Sequence, residues 1–230
     1  MWSIHLYLAN QIDNQNKTYM KRIYLLTIAF MSFVSVFAQD GVSDPKIIFG
    51  IKAGATFPTF AVSGADAKGV TPSSITSFYA GLAASMHITG VLSIQPGLSL
   101  VGKGAILSSS SSTTTQLTLL YIETPIHVMA NFKTSHGTIF VGAGPYWDFV
   151  IGGTLSVTGK ADKNPVFNTD FDNDIRSDDF GFNFLLGYQL KNGVNIHTCY
   201  GLGLTNIQPD ATLDKKYKNS VLSVGLGFSF

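Results

Sequence analysis

The sequence predicts an all-β protein: a single eight-stranded antiparallel up-and-down transmembrane β-barrel. Three observations carry that expectation. Apolar and polar residues alternate with period two in eight successive runs. No stretch after Ala38 holds 18 consecutive apolar residues, which leaves no helical span. The connections between the runs alternate short and long in strict order. Composition agrees, because 13% charged residues, 12% aromatics and 23 glycines among 230 residues suit a β-rich membrane protein. The formal net charge of +1 offers no electrostatic basis for binding nucleic acid. The single cysteine, Cys199, excludes an internal disulfide.

Each run is justified by its alternation. In the first, Ile47, Phe49, Ile51, Ala53, Ala55 and Phe57 oppose Gly50, Lys52, Gly54 and Thr56. In the second, Phe78, Ala80, Leu82, Ala84, Met86 and Ile88 oppose Tyr79, Gly81, Ser85 and His87. The third sets Leu92, Ile94, Leu98 and Leu100 against Ser93, Gln95, Ser99 and Lys103. The fourth sets Leu120, Ile122, Ile126 and Val128 against Tyr121, Glu123, His127 and Asn131. The fifth, Thr138 to Ile151, is less regular, with Val141, Ala143, Trp147, Phe149 and Ile151 opposite Gly142, Gly144 and Asp148. The sixth alternates Phe180, Phe182, Phe184, Leu186, Tyr188 and Leu190 with Gly181, Asn183, Gly187 and Gln189. The seventh alternates Val194, Ile196, Tyr200, Leu202 and Leu204 with Asn195, His197, Gly201 and Gly203. The eighth sets Leu222, Val224, Leu226, Phe228 and Phe230 against Ser223, Gly225, Gly227 and Ser229. Each is long enough for a tilted strand of about 9–11 residues across a bilayer.

The short connections are Thr89-Gly90, Lys133 to His136, and Asn192-Gly193, the last a strong tight-hairpin dipeptide. The long ones span 58–75, 104–116, 152–178 and 205–218. In bacterial outer-membrane barrels short turns are periplasmic and long loops extracellular, which puts both termini in the periplasm and Phe230 at the periplasmic rim. The apolar set then faces lipid. The lumen receives Lys52, Gln95, Lys103, Glu123, His127, Asp148, Asn183, Gln189, Asn195 and His197. Eight strands leave an interior just wide enough for side chains, so a filled lumen is expected rather than a large pore.

Four segments are expected. Residues 20–38 read as a secretory signal peptide: Lys21 and Arg22 precede an apolar run from Ile23 to Phe37, and Val36-Phe37-Ala38 offers a cleavage site before Gln39. That run is about 15 residues, short of the roughly 20 a spanning helix needs. Residues 1–19 read as an upstream extension, with translation starting at Met20. Residues 39–46 form a short periplasmic segment, and 47–230 the barrel.

The chain resembles the PorT-type outer-membrane β-barrel proteins of Bacteroidota. The stretches that carry the resemblance are Gly50-Ile-Lys-Ala-Gly54, Ile94-Gln-Pro-Gly97, Tyr121-Ile-Glu-Thr-Pro125, Gly142-Ala-Gly-Pro-Tyr146, Asp179-Phe-Gly181 and Tyr200-Gly-Leu-Gly-Leu-Thr-Asn206. Six in the right order cover about 47–230. One departure is Gly97, where the family usually has a lumen-facing Glu, so an ion pair from that position to Lys103 is not supplied. The resemblance implies an outer-membrane location and no reaction. The terminal Phe230 also resembles the aromatic signal by which the outer-membrane assembly machinery recognises its clients.

No catalytic, cofactor-binding or metal-ligating residue is assigned. Glu123, with Tyr121 and His127 on one face, reads as an interior polar network rather than an acid/base pair. Asp170, Asp172, Asp174, Asp178 and Asp179 crowd the third long loop and suggest a calcium site, but an EF-hand counted from Asp170 would need Gly at Ile175 and Glu at Gly181. They read as a solvated acidic loop, with loose calcium binding or bridging to lipopolysaccharide through divalent cations as the alternative. Ser108 to Thr115 reads as a mobile surface loop. A lipid-A-modifying enzyme needs His, Ser and an acid at the extracellular rim. His87 and His136 lie at the other end, and His127 and His197 point inward. Cys199 points inward as packing. The expected role is structural or interactive, with lipid, lipopolysaccharide, the assembly machinery and an unidentified protein as partners. The alternatives are a narrow solute conduit or export-machine component, a lipid-A enzyme, and a soluble periplasmic β-barrel.

Overall fold

The computed structural model describes residues 47–65, 71–109, 113–162, 167–168, 175–207 and 214–230. The segments expected over 1–19, 20–38 and 39–46 lie outside the described residues, as do Asp170, Asp172 and Asp174. Strands β1 (Ile47–Ser63), β2 (Ser77–His87), β3 (Leu92–Ser109), β4 (Thr114–Lys133) and β5 (Gly137–Val157) are followed by two short pieces, β6 (Phe167–Asn168) and β7 (Ile175–Arg176). Strands β8 (Asp178–Leu190), β9 (Val194–Gly203) and β10 (Lys216–Ser229) complete the chain. Eight of them close into a barrel in the order β1-β10-β9-β8-β5-β4-β3-β2, and β6 and β7 form a separate parallel pair. The neighbours in the barrel are antiparallel throughout, as the eight runs predict.

The barrel closes where the last strand meets the first. β10 pairs with β1 from Gly50↔Ser229 to Ser63↔Lys216. Beyond the ladder the Phe230 amide donates to the Phe49 carbonyl at 2.8 Å. The turns match their residues. Asn192 accepts the Val194 amide at 3.2 Å, and Gly193 adopts φ +90°, a conformation that glycine reaches without a Cβ penalty.

The strands outrun their expected ends on the long-loop side. β3 continues to Ser109 and β4 begins at Thr114, with Ser108↔Thr115 and Ser109↔Thr114 in register, so both ends of the expected Ser108–Thr115 loop are paired strand, while residues 110–112 lie outside the described residues. β1 reaches Ser63, β5 reaches Val157, and β10 starts at Lys216. β3, β4 and β5 are 18, 20 and 21 residues long, where a span needs about 9–11.

Polarity inverts along these long strands. In the lower part the outward face is apolar: Phe57 is paired with Leu222, and Ile51 with Phe228. One step higher Thr59 pairs with Ser220 and Ala61 with Lys218, while on β4 and β5 Thr118 pairs with Thr154 and Gln116 with Ser156. At that level the inward residues turn apolar, with Phe60, Leu117 and Leu119 buried. The reason is the change of outer solvent. In lipid the outward side chains must be apolar, and in water they must not be, so the upper tier packs a core inside like a soluble barrel. A bulge serves that tier. Between Leu120↔Gly152 and Tyr121↔Val150 β5 carries one extra residue, Ile151, which points out and lets both Val150 and Leu155 join the inner core.

Candidate functional site: the three tiers of the lumen

The top tier is an apolar plug. Phe60 from β1, Ala105 from β3, Leu117, Leu119 and Tyr121 from β4, and Val150 from β5 pack with Ile175 and Ile207 from the third and fourth long connections. Backbone bonds dock those connections: Val150 N to Ser177 O at 2.9 Å, Arg176 N to Ile207 O at 2.8 Å and Ile207 N to Tyr217 O at 2.9 Å.

Beneath the plug lies an ionic tier. Lys103 points inward from β3 and forms an ion pair with Asp148 of β5. Its ammonium is 3.6 Å from Glu123 of β4 and 3.9 Å from Asp179 of β8. It sits over the Tyr146 ring, 4.3 Å from the centroid, and 5.4 Å from that of Tyr121. Asp179 accepts from the Tyr146 hydroxyl at 3.2 Å and from Asn219 of β10 at 2.8 Å. Glu123 accepts from Asn183 at 3.2 Å. One ammonium thus holds three carboxylates together across the lumen, and the tier ties β3, β4, β5, β8 and β10.

The lowest tier is a vestibule. A cavity of about 430 Å³ fills the short-turn half and reaches Thr89 and Gly90. A chamber of about 40 Å³ above it shares Lys52, Leu185 and His197 and is also lined by Glu123 and His127. One wall is apolar, where Met129, Phe140 and Leu185 cluster with Cys199.

The structure brings every residue expected in the lumen to the inside. Lys103, His127, Asp148, Asn183 and His197 are buried, and Glu123 joins a polar network as expected. Asp179 does not belong to a solvated acidic loop: it is fully buried in the ionic tier, because its strand starts at Asp178 and the inward parity falls on it. Asp178 instead accepts from Arg176 at 3.0 Å. The lumen is also not polar throughout, since the strand extensions fill its upper end with apolar side chains. Asn219 fell between the expected loop, 205–218, and the eighth run, and Tyr146 in the less regular fifth run; their parity within the observed strands reveals them. Among the described residues no group of three or more His, Cys, Asp or Glu is placed to hold a metal ion.

The family described as outer membrane protein beta-barrel domain matches residues 37–208. The chain belongs to this family. As an outer-membrane β-barrel, it carries its apolar outward band against lipid. No curated protein matches its sequence. Among solved structures it is similar to Ail, the attachment invasion locus protein of Yersinia pestis, with 10% identity over 80% of this chain and 98% of that one and a TM-score of 0.41. Neisserial surface protein A gives 15% identity over 79% and 97%, with a TM-score of 0.42. OprG from Pseudomonas aeruginosa gives 11% identity over 80% and 95%, with a TM-score of 0.45.

Proposed function

We propose that this outer-membrane barrel does not conduct solutes, catalyses no reaction, and works as a structural or partner-binding protein through the rigid end that projects beyond the lipid band. The observation that carries this reading is the apolar plug, whose eight buried members close the lumen above a tier of interlocked charges. A plug of this kind also makes the projecting end an ordered platform, because its strands have a core of their own. The short turns and both termini lie in the periplasm, and the platform faces outward. Lys218 and Lys216, on the outward face of β10 two and three steps above the apolar band, suit the phosphates of lipopolysaccharide. The PorT-type affinity and a Bacteroidota origin rest on the six sequence stretches. The signal peptide at 20–38 and recognition of Phe230 by the assembly machinery complete the reading.

Conductance of the purified full-length chain in planar bilayers tests it. A silent membrane is expected, and steady open events overturn the closed lumen.

A further inference from the structure

We propose that the vestibule is a binding site for a small organic anion, a carboxylate or phosphate monoester with an apolar body, that enters from the short-turn end.

The argument starts from charge. Lys52 and Lys133 line the 430 Å³ cavity together with His87 and His197, and no Asp or Glu lines it. No ion pair among the described residues includes Lys52 or Lys133; the three lumen carboxylates converge on Lys103 instead. Lys52 is half-buried on the lumen wall and Lys133 is exposed at its rim; a partly buried cation with no carboxylate partner is costly unless an anion or water reaches it. The cavity has the volume for an anion, within the roughly 300–1,000 Å³ of ligand pockets.

A second observation is independent of charge. His127 is 2% exposed, and neither of its ring nitrogens has a hydrogen-bond partner. It lines the small chamber that Lys52 and His197 share with the vestibule, where Glu123 is already engaged by Lys103 at 3.6 Å and by Asn183 at 3.2 Å. A buried imidazole with no partner calls for a group that supplies one. The other ligand features follow from the walls. Gln95, Asn131, Gln189 and Asn195 offer amides around the cavity, and Met129 and Phe140 offer a flat apolar surface. An anionic head reaching Lys52 with an aromatic or aliphatic body against Met129 and Phe140 uses both.

This inference deepens the closed-barrel reading and rests on it, because the tiers above form the floor of the site. The test uses the full-length chain refolded in uncharged maltoside micelles, where no lipid phosphate competes. Phenyl phosphate and benzoate are titrated by calorimetry, with histidine ring resonances followed by NMR and phenol as the neutral control. Saturable binding of both anions is expected, with none by phenol. Lys52→Gln is expected to weaken binding by at least about tenfold, as loss of one partner of a desolvated charge pair does. Lys52→Arg keeps the charge and retains binding, and Lys133→Gln at the rim weakens it less. Lys191→Gln, in the exposed turn after β8, leaves it unchanged. Should Lys52→Gln misfold, Lys133→Gln and competition by inorganic phosphate on the unaltered chain give the answer. No saturation up to ~10 mM, equal binding of phenol, or full affinity in both lysine variants overturns the proposal. Displacement of phenyl phosphate by short-chain phosphatidylglycerol identifies a lipid headgroup as a source of the anion, and its failure to displace identifies a soluble one. Conductance of the same preparation separates the two readings: a conducting barrel that binds keeps the site and loses the closure, and a silent barrel that does not bind loses the site alone.

Discussion

The Tyr79 hydroxyl of β2 lies 2.5 Å from Nε2 of His197 on β9, reaching across β1 and β10, the two strands whose pairing closes the barrel. The direction of the bond follows from the next one. His197 Nδ1 is 2.8 Å from Asn195 Oδ1, which only accepts, so Nδ1 carries the proton and Nε2 accepts from the tyrosine. The ring passes over Gly54 and Gly225, where a Cβ would meet it. Glycine on each closing strand is what lets Tyr79 lie across the seam.

Tyr79→Phe removes the strap while keeping the ring. It leaves His197 Nε2 unpartnered, and the cost is about 1–3 kcal/mol. Urea unfolding in micelles, followed by the loss of the compact band on an unheated gel, should show a lower midpoint.

Gly225→Ala is expected to be worse than Tyr79→Phe. The new Cβ meets the Tyr79 hydroxyl and the Ala53 carbonyl oxygen, and the second belongs to the backbone of the paired strand and cannot rotate away. The expected outcome is a reduced yield of compact barrel on refolding. A wild-type yield and midpoint would show that the seam adjusts.

Lys103→Met leaves Asp148, Glu123 and Asp179 facing one another without their shared cation. Breaking a buried ionic group by removing one partner costs about 3–5 kcal/mol. Adding Asp148→Asn to Lys103→Met removes the carboxylate in closest contact and should recover a part of the loss. Denaturant midpoints of the single and double variants measure this, and equal midpoints would mean that the two residues do not act as a unit.

The plug predicts a stability effect at Leu119, which is fully buried. Leu119→Ala opens a cavity among Phe60, Val150 and Ile207 and is expected to cost about 2–5 kcal/mol. The ionic tier beneath still closes the lumen, so Leu119→Ala should unfold at lower denaturant and remain silent in planar bilayers.

The eight strands are legible in the sequence because one side of each faces lipid, and period two survives wherever that holds. Their upper ends are not legible in the same way. Past Phe57 the alternation continues as Thr59, Phe60, Ala61 and Val62, but its sense is reversed, so a pattern that looks for apolar residues on the lipid face stops one turn too early. The bulge at Ile151 adds a change of parity, which hides Leu155. Lys103, Glu123 and Asp148 are legible as lumen residues from parity alone. Asp179 is masked by the acids around it, and Asn219 by its place between the expected loop and the eighth run. That Tyr79 meets His197 is not legible at all, because they sit three strands apart around the ring and only closure brings them together.

Deletion of Phe228 to Phe230 tests how the seam and the end of the chain act together. It removes the pairs Ile51↔Phe228 and Gly50↔Ser229 and the bond from Phe230 N to Phe49 O. It also removes the stacked rings of Phe228 and Phe230, whose centroids are 6.4 Å apart on the lipid face. The truncated chain is expected to reach the membrane fraction as little or no compact band. Normal insertion would show that the remaining β10 pairs suffice and that the aromatic terminus is not read.

Sidedness is tested by single cysteines in a Cys199→Ser background. Ser135→Cys lies in the β4–β5 turn, and Lys160→Cys lies in the exposed connection after β5. A maleimide that does not cross membranes should label intact cells at position 160 and not at position 135, and both after lysis. The Cys199→Ser replacement removes the single native thiol, which packs inward beside Met129, Phe140 and Leu185. Labelling at 135 in intact cells would reverse the barrel, moving the vestibule to the outer face and the plugged platform to the periplasm. The lengths of β3, β4 and β5 argue against that arrangement, because it would send the longest paired extensions, and the lysines of β10, away from the lipopolysaccharide leaflet.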